Sequence, residues 1–198
     1  GNSLEDSNER QLYQALMAET RNRLSKKRYD YTKKLKESGQ KQAYYMSMEF
    51  LVGRTLRNNL FNLGIEDEVR SFLAEKNFDL DRIYDMEPDP GLGNGGLGRL
   101  ASCYLDALTS NDYPVTGFSI LYEFGIFKQV IANGWQQEYP DNWLGMGQYG
   151  LVHRSDEEIE IKFYGKTEEH WTNEGLKVNY EDYKSIIAEP YDLMISGY

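Results

Sequence analysis

Five glycines fall within eight residues, Gly91-Leu92-Gly93-Asn94-Gly95-Gly96-Leu97-Gly98, and a helical pattern begins at Arg99. Glycines let a backbone come close to a phosphate or a sugar, because no Cβ intervenes and positive φ is open to them. A helix N-terminus directly behind them adds unpaired N–H groups and the positive end of a dipole. The chemistry implied is the cradling of an anion or of a hydroxylated ligand. The competing reading is a flexible loop, which needs no helix behind it. Gly93-x-Gly95-x-x-Gly98 also matches the dinucleotide fingerprint, which calls for a strand directly before the loop. Here Asp81 to Pro90 is acidic and proline-broken and reads as a helix end, and Glu123 lies late for a ribose-binding acid. A dinucleotide-binding oxidoreductase domain stays as an alternative: a strand ending at Pro90 would support it, and a helix there would sink it. No Lys-Ser/Thr pair follows the glycines, which excludes a P-loop.

Other reactive side chains are few. His153 and His170 have no cysteine pair near them, so no metal site is expected. Cys103 is the single cysteine; no internal disulfide can form, and its place in a packed helix predicts an inert buried thiol. Trp135 and Trp143 have the surfaces to stack on sugar, but core packing is the expectation for both. Glu49 follows an aromatic run and reads equally as an ordinary satisfied carboxylate.

The elements that must position these residues are legible from periodicity. Glu9 to Glu37 reads as one long helix or two, broken at Ser38-Gly39. Ala43 to Met48 is expected to be the first strand. Gly53–Asn62, Ile65–Lys76 and Leu80–Met86 read as helices, and Pro88 and Pro90 end that stretch. Arg99 to Ser110 is expected to be a helix with Ala101, Tyr104, Leu105 and Leu108 on one face. Tyr113–Leu121 and Gly125–Ile131 read as strands around a turn. Ile159–Tyr164, Leu176–Tyr180 and Tyr183–Ala188 make the later part strand-rich. The pattern predicts a mixed α/β fold with an antiparallel extension, divided into a helical segment 1–40 and an α/β part 41–198.

Charge bears on partners. The chain carries −10 overall. Arg21 to Lys41 holds nine basic residues and two acids, a local +7 that leaves −17 for the rest. That remainder would repel a polyanion, so the basic stretch reads as a solvated helix face, and no nucleic acid is expected as a partner. A non-catalytic anion- or glucan-binding module that uses the basic helix is kept as an alternative. No stretch approaches the ~20 apolar residues of a membrane span, and no signal peptide is expected at the start. The apolar run Tyr191–Ile195 near Tyr198 has no capping element, so a fragment of a longer protein is expected.

Asp89 to Leu108 (DPGLGNGGLGRLASCYLDAL) closely resembles the α-glucan phosphorylases, the family of glycogen, starch and maltodextrin phosphorylases. Tyr44–Leu56 (YYMSMEFLVGRTL), Tyr122–Gln129 (YEFGIFKQ), Gly134–Leu144 (GWQQEYPDNWL), Phe163-Tyr164-Gly165 and Pro190-Tyr191-Asp192 continue the likeness in order, from about Tyr29 to Tyr198. The resemblance implies the start of the Rossmann-like N-terminal domain of a two-domain glycosyltransferase fold of the GT-B type. It implies reversible phosphorolysis of terminal α-1,4-glucosidic bonds by orthophosphate, giving glucose 1-phosphate with retained configuration. It implies pyridoxal phosphate on a lysine outside these residues, a cytoplasmic homodimer when full length, and α-glucan and orthophosphate as partners, without membrane or nucleic acid. No catalytic residue is expected within this chain. Gly95, Gly96 and Leu97 match the loop lining the glucose and phosphate subsite. Asn94 and Leu51 match positions near the cofactor, and Glu49 and Arg99 positions behind the loop. Leu51 stands where animal members have a tyrosine. The nearest match to their nucleotide-binding residues is Lys27, Arg28 and Tyr29 or Tyr31, without the polar amides, and Glu157 replaces an aromatic. Ser3 and Ser7 lie among acids rather than in a basic phosphorylation segment. An unregulated, bacterial-type enzyme is the expectation.

Overall fold

The computed structural model of the chain describes Leu4, residues 6–147 and residues 150–197. Ser3 and Tyr198, which enter the expectations above, lie outside the described residues. The chain divides into two units, one running up to Gly150 and resuming at Met194, the other Leu151–Leu193.

The first unit opens with α1 (Glu9–Ser38), one uninterrupted helix. Asn8 and Gln11 cap it reciprocally: the Gln11 N–H donates to Asn8 Oδ1 and the Asn8 N–H to Gln11 Oε1, both at 3.0 Å. Gly39 ends it in the left-handed region, φ 64°. Only its first half is buried, through Leu12, Tyr13, Met17, Thr20 and Leu24. That half packs with α2 (Leu56–Asn62), α3 (Glu66–Glu75) and α4 (Leu80–Tyr84) around Leu56, Leu60, Leu73, Leu80 and Ile83. The sequence reads a helix from Gly53, but Gly53 has φ 72° and α2 starts at Leu56. The buried Glu87 carboxylate sets that start: it accepts from the Thr55 N–H (2.7 Å), the Thr55 hydroxyl (2.9 Å) and the Leu56 N–H (2.9 Å). An acid at a helix N-terminus satisfies donors the helix cannot. Arg70 of α3 clips α4 through two bonds of 3.0 Å to Asp81, which hold that carboxyl below the usual range. Burial pushes the Tyr84 phenol up, and Glu66, which accepts a hydrogen bond from its hydroxyl at 3.1 Å, adds to the shift.

β1 (Ala43–Met46) pairs in parallel with β2 (Val115–Phe118), Ala43 opposite Val115 and Met46 opposite Phe118. Between them in sequence runs α5 (Gly96–Ser110). Gly117 lets sheet and helix approach, since a Cβ there would lie 2.6 Å from Leu105 Cδ1. β3 (Gly125–Ala132) and β4 (Trp135–Asp141) form a hairpin. Its two-residue turn, Asn133-Gly134, has φ of 52° and 80°, the positive-φ pair such turns favour. The strands read around a turn after Tyr113 therefore do not pair with each other: β2 joins β1, and β3 joins β4. The short helix α6 (Leu144–Gly147) follows.

The second unit holds β5 (Leu151–His153), the long hairpin β6 (Ile159–Thr172) and β7 (Gly175–Ala188), and β8 (Tyr191–Leu193), which pairs antiparallel with β5. β7 is one strand where the sequence suggests two. Positive φ at Tyr164, Gly165 and Asp182 interrupts the hairpin ladder without shifting its register. Arg154 ties this unit together, donating to Glu157 (2.6 Å), Asp192 (3.0 Å) and Asp156 (3.2 Å). The class is mixed α/β, built among the described residues from two-stranded sheets. No helix among them is long and apolar enough to cross a membrane.

Candidate functional site: the glycine loop

Met46 ends β1 and the chain turns back beneath the glycine run. The Phe50 N–H donates to Leu92 O (2.8 Å) and the Leu51 N–H to Gly98 O (3.0 Å), so the strand exit carries the loop as a short backbone ladder. The Phe50 ring is buried beneath it, edge-on to Tyr45 at 5.7 Å. No strand precedes the loop. α4 ends at Tyr84 and residues 85–90 are turn and irregular chain, which removes the dinucleotide fingerprint's required context.

Glu49 sits behind the loop and spans it. Its Oε2 accepts from the Asn94 N–H (2.7 Å) and its Oε1 from the Gly98 N–H (3.0 Å). Ser47 holds Glu49's own backbone, donating its hydroxyl to Glu49 O at 2.8 Å. Arg99 reaches back to Leu51 O at 3.4 Å. The structure thus gathers Glu49, Leu51, Asn94, Gly95, Gly96, Leu97 and Arg99 at the start of α5.

The glycines divide by what a side chain would meet. At Gly93 a Cβ would lie 2.5 Å from the Leu51 backbone nitrogen, at Gly91 2.5 Å from the Trp143 ring, and at Gly98 2.9 Å from the Glu49 side chain. These three are required by close packing. Gly95 and Gly96 have nothing within 4 Å, and neither has positive φ. The expectation that this loop uses positive φ is therefore corrected: none of its glycines does, and Gly95, at φ −153°, is plain extended chain. Gly95 is the N-cap of α5 and offers no side-chain acceptor. The Gly98 N–H goes to Glu49, while the Gly96 and Leu97 N–H groups have no partner among the described residues. The Leu97 side chain is 79% exposed. The arrangement offers two aligned donors and the positive end of a 15-residue helix, beneath open space.

The remaining candidates fall on both sides. Trp143 is 4% exposed, as a core residue should be, whereas Trp135 is 78% exposed on β4, against expectation. Cys103 is exposed, not buried: on α5 only Gly98 and Ala101 are fully covered among the described residues. Among the described residues no group of His, Cys, Asp and Glu has the grouping to hold a metal. Sequence reasoning did not connect Tyr122 and Trp143 to the loop; the glycine at 91, which makes room for an indole, was the available signal.

The profile of the family described as carbohydrate phosphorylase matches residues 73–198. Glycogen phosphorylase of Chlamydia pneumoniae is 46% identical over 159 residues, 80% of this chain and 19% of that protein. Glycogen phosphorylase of Bacillus subtilis is 40% identical over 200 residues, 100% of this chain and 25% of that protein. The brain form of human glycogen phosphorylase is 41% identical over 162 residues, 82% and 19% respectively. The chain thus spans about a fifth to a quarter of the length of these relatives. A profile that covers the loop, α5 and every strand from β2 onward leaves one assignment: the chain belongs to the carbohydrate phosphorylase family.

Proposed function

We propose that this chain is part of an α-1,4-glucan phosphorylase, and that its glycine loop forms one wall of the glucose and phosphate subsite. The observation that carries the reading is the Gly95-Gly96 step. The fold has no need of glycine there, yet the absent side chains leave open the approach to the two unpaired N–H groups. Fixed donors aimed at developing charge are worth much in a closed cleft, since they need no reorganisation as charge appears. Glu49 holds the loop, keeping those donors aligned, and Arg99 secures the strand exit at Leu51. The names of the relatives, all glycogen phosphorylases, support orthophosphate and α-glucan as substrates and glucose 1-phosphate as product.

The family implies pyridoxal phosphate, with its lysine elsewhere in the polypeptide. Two free amides at a helix N-terminus fit a phosphate group, and Asn94 is exposed beside them. When bound, that group supplies proton exchange between its phosphate and the substrate phosphate; this chain contributes donors and shape. We further propose that β1, α5 and β2 begin a Rossmann-like domain. The test is phosphorolysis by the full-length protein on graded maltooligosaccharides. Release of glucose 1-phosphate dependent on orthophosphate is expected; none with any α-1,4-glucan would remove the proposal. An anion- or glucan-binding module without catalysis would bind the oligosaccharide and leave it intact.

A further inference from the structure

Three contacts link the entry of the glycine loop to a part of the chain some fifty residues later. The Trp143 ring, almost wholly buried, lies where a Gly91 Cβ would stand. Its Nε1–H donates to Tyr122 O at 3.0 Å. The Tyr122 hydroxyl in turn donates to Met48 O at 2.9 Å, on the strand exit that carries Glu49 and Phe50. Phe50 then returns to the loop through Leu92 O. The circuit Met48, Tyr122, Trp143, Gly91, Leu92, Phe50 is closed, and Glu49 lies inside it. The Trp143 backbone N–H donates to Asp141 O at 3.0 Å, which ties this residue's backbone to the end of β4.

We infer that Tyr122 and Trp143 are positioning residues for the glucose and phosphate subsite. They fix the strand exit and the loop entry against each other, and so set where Glu49 holds Asn94 and Gly98 and where the Gly96 and Leu97 N–H groups point. Neither residue touches the reacting groups. The inference rests on the proposed function of the loop. A loop displaced by about 1 Å loses much of the rate that alignment supplies.

The experiment uses the full-length enzyme with Trp143→Phe, which keeps an aromatic ring and removes the Nε1 donor, and Tyr122→Phe, which removes only the hydroxyl. Two readouts are taken: steady-state kinetics with orthophosphate and a maltooligosaccharide, and amide hydrogen exchange at Asn94 and Gly98. Each variant is expected to lower kcat about tenfold and leave the oligosaccharide KM within about twofold. Exchange at both amides is expected to quicken about fivefold or more. The double variant is expected to be little worse than the worse single one, because both act in one chain of contacts. Unchanged exchange in both variants overturns the brace. Faster exchange with wild-type kcat overturns its role in positioning. If the wild-type protein makes no glucose 1-phosphate while the variants still exchange faster, the brace stands and the subsite assignment falls.

Discussion

Gly91, Gly93 and Gly98 have neighbours at distances no Cβ tolerates, whereas Gly95 and Gly96 face open space with ordinary φ. Substitution should separate the two kinds. Gly93→Ala forces a methyl against the Leu51 backbone and is expected to cost about 1–3 kcal/mol of stability, as overpacking does. Gly96→Val adds a branched side chain at the first residue of α5 and should change stability by only about 0.5 kcal/mol. In the full-length enzyme it stands where the ligand approaches, and kcat is expected to fall on the order of a hundredfold. Gly39→Ala is the control. It places a side chain at φ 64° in the cap of α1, so stability should drop by about 1 kcal/mol while kcat stays at the wild-type value. Thermal unfolding and initial rates on the three variants check the pattern. A Gly96→Val enzyme with wild-type kcat and phosphate KM would show that the loop is no cradle.

Among the elements, α2 depends on a residue 31 positions from its start. Glu87→Ala leaves two buried N–H groups and a hydroxyl without an acceptor, and is expected to cost about 3 kcal/mol in urea unfolding. Glu87→Gln, which keeps one acceptor, should cost less. The clip between α3 and α4 gives a pH dependence. Arg70 depresses the Asp81 carboxyl, so the stabilisation is present at neutral pH and is lost as pH falls through the lowered value and the acid takes a proton. A double-mutant cycle on Arg70→Ala and Asp81→Asn should show coupling near neutrality and none in strong acid; coupling that persists when Asp81 is protonated would refute it. The sequence made α1 and β1 legible because their signals are local: helical spacing, a glycine stop, an aromatic run. The start of α2 was not, since Glu87 acts from far along the chain. Nor was the pairing of β2 with β1, because pairing is a tertiary choice. At the site, the glycine count revealed a close approach, but only coordinates tell glycines that make room for the protein from glycines that leave room for something else. Cys103 misled because a place on a helix says nothing of what covers it, and Trp135 because a large ring's tendency to pack does not supply the neighbours.

Across the molecule, β6 and β7 are exposed along almost their whole length. The β6–β7 hairpin exposes Ile159, Phe163, Trp171, Val178 and Ile187, and a two-stranded ribbon alone is marginally stable. The 198-residue chain by itself is expected to exchange the β6–β7 amides quickly and to bind a hydrophobic dye, with both effects suppressed in a polypeptide of the relatives' length. Slow exchange in the short chain would refute this. The long first helix carries a mechanical consequence. Its 30 residues form a rod of about 45 Å, buried only along the first half; beyond Leu24 every residue to Ser38 except Leu35 is exposed, and Ser25 donates its hydroxyl to Met194 Sδ at 3.7 Å just past the buried part. The exposed half is a lever about 20 Å long with its fulcrum near Leu24 and Ser25. A tilt of about 5° in the gripped half, a small rearrangement of packed side chains, sweeps the tip through roughly 2 Å. Whatever meets Tyr29, Lys33 or Lys36 therefore feels shifts in the helical core magnified, and a strain applied at the tip returns to Tyr13 and Met17 with the same mechanical advantage.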